Sequence, residues 1–286
     1  MANLKEIRSR ITSIGSTMQI TSAMKMVSAA KLKKAQDAIT QMRPYADKLT
    51  QILQNLSATL DDEVGGAYAE QRIVKKVLLV AITSNRGLSG AFNSSIIKTT
   101  TQHIEDNYPN KEVSLLTIGK KGNDILSKKY NVIENNNDVY DDLTFENVAV
   151  IAEAIMKLFT DGKFDKIELV YNRFKNAATH IQTIEQFLPI VQPETGANVN
   201  VDYIFEPSKK EIILELIPKS LKTQLYKAIR DSFAAEHGAR MTAMHKATDN
   251  ATELRDDLKL TYNKARQAAI TNEILEIVGG AEALNG

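Results

Sequence analysis

Residues 4–60 read LKEIRSRITSIGSTMQITSAMKMVSAAKLKKAQDAITQMRPYADKLTQILQNLSATL, and this stretch decides the fold. Alternate steps of three and four residues place seventeen positions on one stripe, and only Thr21, Lys25 and Ser28 among them are polar. A period of 3.5 residues keeps one apolar stripe against one partner helix along a left-handed supercoil. We therefore predict an N-terminal helix over residues 1–60, about 90 Å long, that projects as a rod.

Composition and charge limit the functions that this chain can have. The 286 residues include no cysteine, which excludes disulfides, thiolate metal sites and a cysteine nucleophile. The first residues, MANLKEIRSR, are charged too early for a secretory signal peptide. The longest uninterrupted apolar run, Val77 to Ile82, is too short to span a bilayer. We expect a soluble protein on the cytoplasmic side of a membrane.

The charge is distributed unevenly along the chain. Residues 1–60 hold nine Lys and Arg against three Asp and Glu, a net charge of +6. Residues 61–206 hold fifteen against twenty-one, a net charge of −6. A basic rod next to an acidic body indicates an acidic partner for the rod, although a lysine-rich solvated helix face would give the same count.

The C-terminal third carries a second long helical pattern. Between Lys219 and Val278 there is no proline and one glycine, Gly238. A stripe is formed by Met244, Ala247, Ala251, Leu254, Leu258, Thr261, Ala265 and Ala268. We expect the two terminal helices to run antiparallel and to bury each other, with a bend or a short break of the first one at Pro44.

The middle of the chain reads as alternating strands and helices. Strands are predicted at Lys76–Ile82, Glu112–Ile118 and Lys166–Phe174, with an antiparallel edge strand at His180–Val191. Helices are predicted at Asn93–Asp106, near Asp124–Tyr130 and at Phe145–Phe159. The predicted fold is α/β, a Rossmann-like domain (74–192) inserted between two shaft helices (1–60 and 207–286) that form a coiled coil.

Two glycine-containing loops resemble phosphate-binding sites only weakly. The loop from Ser84 to Gly90 follows a strand and precedes a helix, but its spacing does not match G-x-G-x-x-G. At the second loop, Gly119–Gly122, Ser114 and Lys121 occupy positions where a P-loop needs glycine and Ser or Thr. The four histidines have no metal-ligand spacing, and we interpret His237 and His245 as surface residues. We expect no catalytic residue, no metal and no cofactor.

Two segments are apolar around more of the helix than one seam needs. Between residues 20 and 28 the seam is polar, while Ile20, Met24 and Val27 continue an apolar stripe one position over. This pattern indicates either a contact outside the helix pair or a local stutter of the coil. After residue 268 apolar residues surround the helix, and such a tip needs a sleeve to avoid aggregation.

Three stretches carry a resemblance to a known family. The stretch Ile11–Gln36, ITSIGSTMQITSAMKMVSAAKLKKAQ, resembles the start of the gamma subunit of F-type ATP synthases. The stretch Ala239–Leu284 resembles its end, and SNRGLSGAFN at Ser84–Asn93 resembles its glycine loop after the first strand. The resemblance covers the whole chain, although Ser89 stands where the family commonly has cysteine.

The resemblance implies a non-catalytic central rotor shaft of a proton-translocating ATP synthase. Its implied partners are the alpha and beta subunits of the hexamer, the epsilon subunit and the membrane c-ring, with no nucleic acid and no bilayer insertion. The implied location is the cytoplasmic face of the bacterial inner membrane, as a peripheral protein. Rotation of the ring would turn the shaft and force the three catalytic beta sites through different states.

The resemblance and the sequence pattern together give the predicted contact residues. Those expected to contact alpha and beta are Met24, Lys31, Lys33, Lys34, Arg240, Arg266, Gln267 and Thr271. The predicted bearing tip is Ile270, Ile274, Ile277 and Val278, and the foot loop is Arg86, Gly87, Leu88 and Gly90. The three lysines rest on charge alone.

Two other functions stay open from the sequence. One is an α/β nucleotide-binding enzyme with a coiled-coil oligomerisation arm, which tight binding of nucleotide by the isolated chain would favour. The other is a structural tether or holdase, which has no need of an asymmetric foot.

Overall fold

The structure is a computed structural model that describes residues 4–57, 68–190 and 209–285. The elements in chain order are α1 (Leu4–Ser57), β1 (Lys76–Ile82), α2 (Phe92–Asn107), β2 (Glu112–Ile118), α3 (Lys120–Leu126), β3 (Asn131–Asn135), a 3₁₀ turn (Asp138–Tyr140), α4 (Phe145–Thr160), β4 (Lys166–Asn176), β5 (Thr179–Leu188) and α5 (Lys209–Asn285). Of the predicted ranges, residues 1–3, 58–60, 191–192, 207–208 and 286 lie outside the described residues.

The five strands form one mixed sheet in the order β3-β2-β1-β4-β5. Strand β1 pairs in parallel with β2 and with β4, and β2 pairs in parallel with β3. Strand β5 runs antiparallel to β4 at one edge. The predicted α/β architecture, including the antiparallel edge strand, is confirmed.

Two elements of the α/β region differ from the prediction. Strand β3 was not predicted, because only two of its five residues, NVIEN, are apolar. Val132 and Asn135 are half-buried, and the other three residues are exposed. Helix α3 begins at Lys120, four residues before the predicted start, since its first turn is held by side chains of another loop. Both differences come from contacts between segments that are distant in sequence.

The core of the sheet lies on both of its faces. Every residue of β1 after Lys76 is buried, as expected for a central parallel strand covered by helices on both sides. On one face α4 and the start of α5 pack over residues such as Leu78 and Val80. On the other face α2 packs over Val77 and Leu79.

The chain divides into two compact units. We name residues Ala29–Arg240 the sheet unit, and Met1–Ser28 together with Met241–Gly286 the coil unit. Helices α1 and α5 each contribute one segment to both units. The sequence predicted three segments, with each terminal helix in a segment of its own. The two compact units divide both helices instead, so the three-segment division stays a prediction.

In the sheet unit both long helices join the core. Five residues of α5 belong to the apolar cluster on the α4 face of the sheet: Ile217, Leu221, Leu225, Ala228 and Ile229. This contact explains why the upstream stripe of α5 steps by four and drifts away from the coil seam. No helix within the described ranges is long and apolar enough to cross a bilayer.

Helix α1 continues through Pro44 as one α-helix, so the predicted alternative of a short break is wrong. Proline removes one backbone hydrogen bond and normally costs about 3 kcal/mol in a helix interior. Ile39, Ala46 and Leu49 are buried on both sides of it, and Arg43 is bound to two other elements. These contacts hold the helix together across the proline.

Candidate functional site

In the coil unit α1 and α5 pair in antiparallel orientation. The hydroxyls of Thr21 and Thr248 lie 2.8 Å apart, and Thr252 donates to the sulfur of Met18 over 3.3 Å. One turn further, Lys25 Nζ donates to His245 Nδ1 over 3.4 Å. Residue numbers therefore increase along α1 while those of the contacting residues on α5 decrease, which is the antiparallel pairing that the sequence predicted.

The polar residues of the α1 seam face the inside of the helix pair. Thr21 and Ser28 are 9% and 2% exposed, whereas Ile20, Met26 and Val27 on the same two turns are 59%, 65% and 57% exposed. The predicted seam therefore does not shift by one position, and the stutter hypothesis is wrong. The inside of the coil is polar here and its outside is apolar, while the predicted contact residue Met24 is half-buried.

The seam of α5 differs from the predicted one at Leu254, Thr261 and Ala268, which are exposed. Thr248, Thr252 and Arg255 instead face α1 and bond to it. The sequence pattern favoured Leu254 because it is apolar, but threonine hydroxyls inside a helix pair can bond to the backbone of their own helix. Thr248 and Thr252 both donate to the carbonyl four residues earlier.

The C-terminal end of α5 has no partner among the described residues. By the register of the pairing, Leu4 lies near the level of Arg266, since Met18 meets Thr252. Every residue from Arg266 to Ala281 is exposed. This stretch contains three predicted contact residues, Arg266, Gln267 and Thr271, and the four tip residues Ile270, Ile274, Ile277 and Val278. The tip is therefore a helix with an uncovered apolar face.

The three lysines predicted from charge alone, Lys31, Lys33 and Lys34, are all exposed on α1 in the sheet unit. Lys31 is also close enough to the buried Glu236 to oppose the rise in pKa of that carboxyl. The exposure of the three lysines leaves them accessible to an acidic partner.

Arg240 is placed differently from the other predicted contact residues. It is 6% exposed, its guanidinium pairs with Glu236 at 2.7 Å, and it donates to the carbonyls of Gly87 and Arg86 over 3.2 and 3.3 Å. The structure thus brings Arg240 together with the foot loop. Contact of Arg240 with another subunit stays a prediction.

The foot loop is rigidly held at its base and strained at its tip. The hydroxyl of Ser84 donates to the carbonyl of Arg86, and the side chain of Asn93 accepts from the Ser84 amide over 2.9 Å. Leu88 has a φ of 61°, which is uncommon for a residue of its size, and its side chain is 66% exposed. The loop therefore presents an apolar side chain on strained backbone.

Burial shifts the pKa of two neighbouring groups on α5. Burial lowers the pKa of His237 to about 3, with a further contribution from Arg240 and Lys31. Burial also raises the pKa of Glu236, against the attraction of Arg240. His237 packs edge-on against Phe233 and is 5% exposed, so its interpretation as a surface residue is wrong. His245, in contrast, is exposed.

The backbone groups that a phosphate would need at α3 are already bonded within the protein. The amide of Gly122 donates to the Thr83 hydroxyl over 2.9 Å, and those of Lys120 and Lys121 donate to Asn85 and Ser84 over 3.0 Å. A Cβ added at Gly119 would lie 2.4 Å from the Thr83 carbonyl oxygen. The strand and the helix are therefore packed directly together where nucleotide-binding folds place a ligand.

The remaining titratable cluster is internally satisfied. His103 Nε2 lies 2.6 Å from Glu168 Oε2, and Asn107 Nδ2 lies 3.0 Å from the other ring nitrogen. Lys166 pairs with the second oxygen of Glu168 at 2.7 Å. Among the described residues, no group of three or more His, Asp and Glu side chains is arranged to hold a metal ion.

One buried ion pair was not predicted from the sequence. Arg43 on α1 binds Asp231 on α5 at 2.9 Å, and the same nitrogen donates to the carbonyl of Phe174 on β4 over 3.0 Å. Asp231 is fully buried. The neighbours of Asp231 in sequence, Arg230 and Ser232, are themselves polar, so the local pattern carried no signal that this carboxylate is buried with a partner.

Comparison with known proteins gives a consistent result along the whole chain. A family model described as ATP synthase matches residues 3–284. The ATP synthase gamma chain of Christiangramia forsetii is 70% identical over 286 residues, with both chains fully covered. That of Flavobacterium johnsoniae is 73% identical over 288 residues, again with full coverage of both.

Solved structures agree with the fold. The central stalk and c-ring structure of the mitochondrial ATP synthase of Tetrahymena thermophila contains a chain with a TM-score of 0.60 and 26% identity, covering 80% of this chain and 99% of that one. A chain of the Euglena gracilis mitochondrial ATP synthase has a TM-score of 0.70 at 21% identity, covering 98% and 94%. The latter likeness concerns the fold alone.

Proposed function

Since this chain belongs to the gamma-chain family of ATP synthases and forms the central shaft of that complex, we propose that it passes rotation to a surrounding hexamer without catalysing a reaction itself. Rotation of a membrane ring driven by protons would turn the shaft. The changing face of the shaft would then impose different conformations on catalytic sites in the beta subunits. The observation that carries this proposal is the bare apolar tip of α5.

The tip supports a bearing because it exposes a broad apolar face, opposite Asn272, Glu273 and Glu276. Ile270, Ile274 and Ile277 lie on one face of the helix, and the exposed Val278 and Leu275 widen this apolar face to about 160°, which is broader than a single helix–helix seam needs. Exposed apolar patches of this kind mark interaction sites. A sleeve formed by several subunits would cover the whole circumference and, lacking directional hydrogen bonds, would permit slipping.

The outward apolar residues of the coil unit support a second contact region for alpha and beta subunits. Ile20, Met26 and Val27 are exposed there, and Met24 lies beside them. Lys31, Lys33 and Lys34 extend the same helix with positive charge and suit an acidic segment of beta. Arg266, Gln267 and Thr271 are exposed polar groups available to loops of beta.

Arg240 needs a separate assignment within this proposal. Its guanidinium binds Glu236 and two carbonyls of the foot loop. A contact with beta would therefore have to form through the remaining exposed edge of the side chain. The loop that it holds, with Arg86 and Leu88 exposed, is the more accessible part of this region.

The absence of catalysis in this chain is also part of the proposal. The amides at the start of α3 are occupied by Thr83, Ser84 and Asn85. A phosphate would have to displace all three acceptors. Tight binding of ATP or ADP by the purified chain in calorimetry would contradict the proposal and favour the α/β enzyme with an oligomerisation arm.

We further propose that the sheet unit forms the foot, with the epsilon subunit and the c-ring as its partners. The protein would be peripheral, on the cytoplasmic face of a bacterial inner membrane. Bacterial gamma chains with full-length similarity support this location. Co-purification of the chain with epsilon subunit and c-ring in a single copy per complex would test the assignment of partners.

Met24→Lys tests the contact of the coil with beta. The added charge would be placed where the half-buried Met24 meets the partner, and we expect proton pumping per ATP hydrolysed to fall in the reconstituted complex. Val150→Lys adds the same charge at an exposed apolar position of α4 and serves as the matched control. An unchanged ratio in the Met24 variant would contradict the proposed contact.

Removal of the residues after Ala268 tests the bearing. The stretch from Ala268 to Ala281 is exposed throughout, so its loss should leave the sheet unit folded while weakening assembly or torque. Circular dichroism of the isolated chain and the yield of assembled complex are the two measurements. Global unfolding of the shortened chain would show that the tip has a folding role instead.

A further inference from the structure

Three elements of the sheet unit meet at one guanidinium group. Arg43 Nη2 on α1 donates to the carboxylate of Asp231 on α5 over 2.9 Å and to the carbonyl of Phe174 on β4 over 3.0 Å. Both helices and the sheet are therefore joined by two directional bonds from a single nitrogen.

The surroundings make this junction stiff. The Asp231 side chain is 1% exposed and the Arg43 side chain is 40% exposed, so water screens the attraction between them only from the side of Arg43. Charge-assisted hydrogen bonds are stronger than neutral ones and constrain direction as well as distance. A bond of this kind resists rotation of α1 and α5 relative to the sheet.

A second contact lies beside it at the end of the β4–β5 hairpin. A Cβ added to Gly238 on α5 would lie 2.9 Å from the carbonyl oxygen of Ala177. The turn itself is fixed because Asn176 Oδ1 accepts from the amides of Ala178 and Thr179 over 3.0 and 2.7 Å. The backbone of the hairpin is thus wedged against α5 two helical turns beyond Asp231.

The position of Arg43 directly before Pro44 adds to the argument. Pro44 lacks the amide that would support the previous turn of α1. The helix would be most easily twisted at this point. Arg43 binds the other two elements at this weakened position.

We propose that Arg43 is a positioning residue that locks α1, α5 and the sheet at one rotational angle, so that rotation of the sheet domain is passed to both helices. This inference rests on the proposed function of the chain as a shaft. It assigns torque transmission within the sheet unit to a three-way junction of Arg43, Asp231 and the Phe174 carbonyl, with the Gly238–Ala177 contact as a stop beside it.

The test uses the chain reconstituted with its hexamer, epsilon subunit and c-ring in lipid vesicles, and measures protons pumped per ATP hydrolysed. Arg43→Ala should leave hydrolysis within about twofold of wild type and lower the pumping ratio at least threefold, because the hexamer turns a shaft that slips at the foot. Lys129→Ala removes an exposed ion pair with Glu105 in the same unit and should leave the ratio unchanged.

A second variant separates torque transmission from folding. Arg43→Ala leaves a buried charge without a partner, which can unfold the junction. Arg43→Met combined with Asp231→Leu removes both charges and keeps the volume filled, so assembly should return while the pumping ratio stays low. Wild-type pumping by the double variant would overturn the proposal, as would failure of both variants to assemble, which would assign the pair to folding. Absence of pumping with the wild-type chain would instead overturn the proposed function itself.

Discussion

The sheet unit and the coil unit use polar and apolar side chains in opposite ways. In the sheet unit every residue of β1 after Lys76 is buried, and a charged group such as Asp231 is held inside by a partner. In the coil unit the interior contains Thr21 and Ser28, and Ile20 and Val27 face outward. A unit that buries its apolar groups is stable by itself, whereas one that exposes them requires a partner. The coil unit is therefore the part whose environment must come from other chains.

Removal of a core aromatic ring is the strongest way to test this contrast. Phe159 is fully buried in the sheet unit, and Phe159→Ala should lower the free energy of unfolding by about 3–5 kcal/mol. Ile274→Ala at the exposed tip should change it by less than about 0.5 kcal/mol. Urea denaturation of the purified full-length chain measures both. A large loss in the tip variant would mean that the tip is covered within the chain.

The two units also differ in what their glycines permit. Gly119 has a φ of 104° and faces the Thr83 carbonyl oxygen, so Gly119→Ala should cost about 2–4 kcal/mol from strain and steric overlap. Gly15 lies within α1 with nothing within 4 Å of an added Cβ, and Gly15→Ala should stabilise the helix by about 0.5–1 kcal/mol. Urea denaturation should show a lower free energy of unfolding for Gly119→Ala and a higher one for Gly15→Ala. A change in the same direction for both variants would contradict this difference between the two units.

Acid should destabilise the sheet unit through His237. Its pKa is about 3 in the folded chain and about 6.5 when unfolded, so the unfolded chain binds the extra proton below pH 6.5. Stability is therefore lost as pH falls from about 6.5 towards 3. Between pH 7 and 5 this amounts to about 2 kcal/mol, which His237→Gln should abolish.

The raised pKa of Glu236 acts in the opposite direction, since the folded chain takes up a proton there more readily than the unfolded chain. The comparison of wild type with His237→Gln cancels this contribution to first order. Urea denaturation at several pH values provides the slopes. Parallel slopes for the two proteins would show that the imidazole is protonated in the folded state.

The smallest expected effect concerns the polar interior of the coil. Thr21→Val removes the bond between the two hydroxyls, while Thr248 keeps its bond to the Met244 carbonyl, and should destabilise the chain by about 1 kcal/mol. Combination with Thr248→Val should restore most of this loss, because two apolar groups then replace the hydrogen-bonded pair. Additive losses in the double variant would indicate that the two hydroxyls act independently. That outcome would show that the contact between Thr21 and Thr248 does not stabilise the coil unit.

Much of the fold could be predicted because its signals are local. The strands Lys76–Ile82 and Glu112–Ile118 were predicted at the bounds that the structure has. The helix at Phe145–Thr160 differs from its prediction by one residue. Such segments have strong apolar patterns and clear limits, so neighbouring residues alone decide their structure.

The parts that were missed depend on distant contacts. Strand β3 exists because β2 supplies its hydrogen bonds, and α3 starts early because Thr83 and Asn85 accept from its first amides. His237 was predicted at the surface because no sequence pattern distinguishes it from His245. For β3 and α3 the deciding partner is more than ten residues away in the chain, whereas His237 packs against Phe233, four residues before it.

The sequence by itself determined the two long helices, the α/β domain between them and the apolar tip, because each is written as a period or a run of apolar residues. Only the tertiary structure decided that Thr21 and Ser28 face inward, that Arg240 holds the foot loop and that Arg43 joins three elements. The direction of a polar side chain depends on which acceptor the fold brings within reach. The sequence period does not indicate which acceptor a polar side chain will bond to, because the period only separates residues that face solvent from residues that do not.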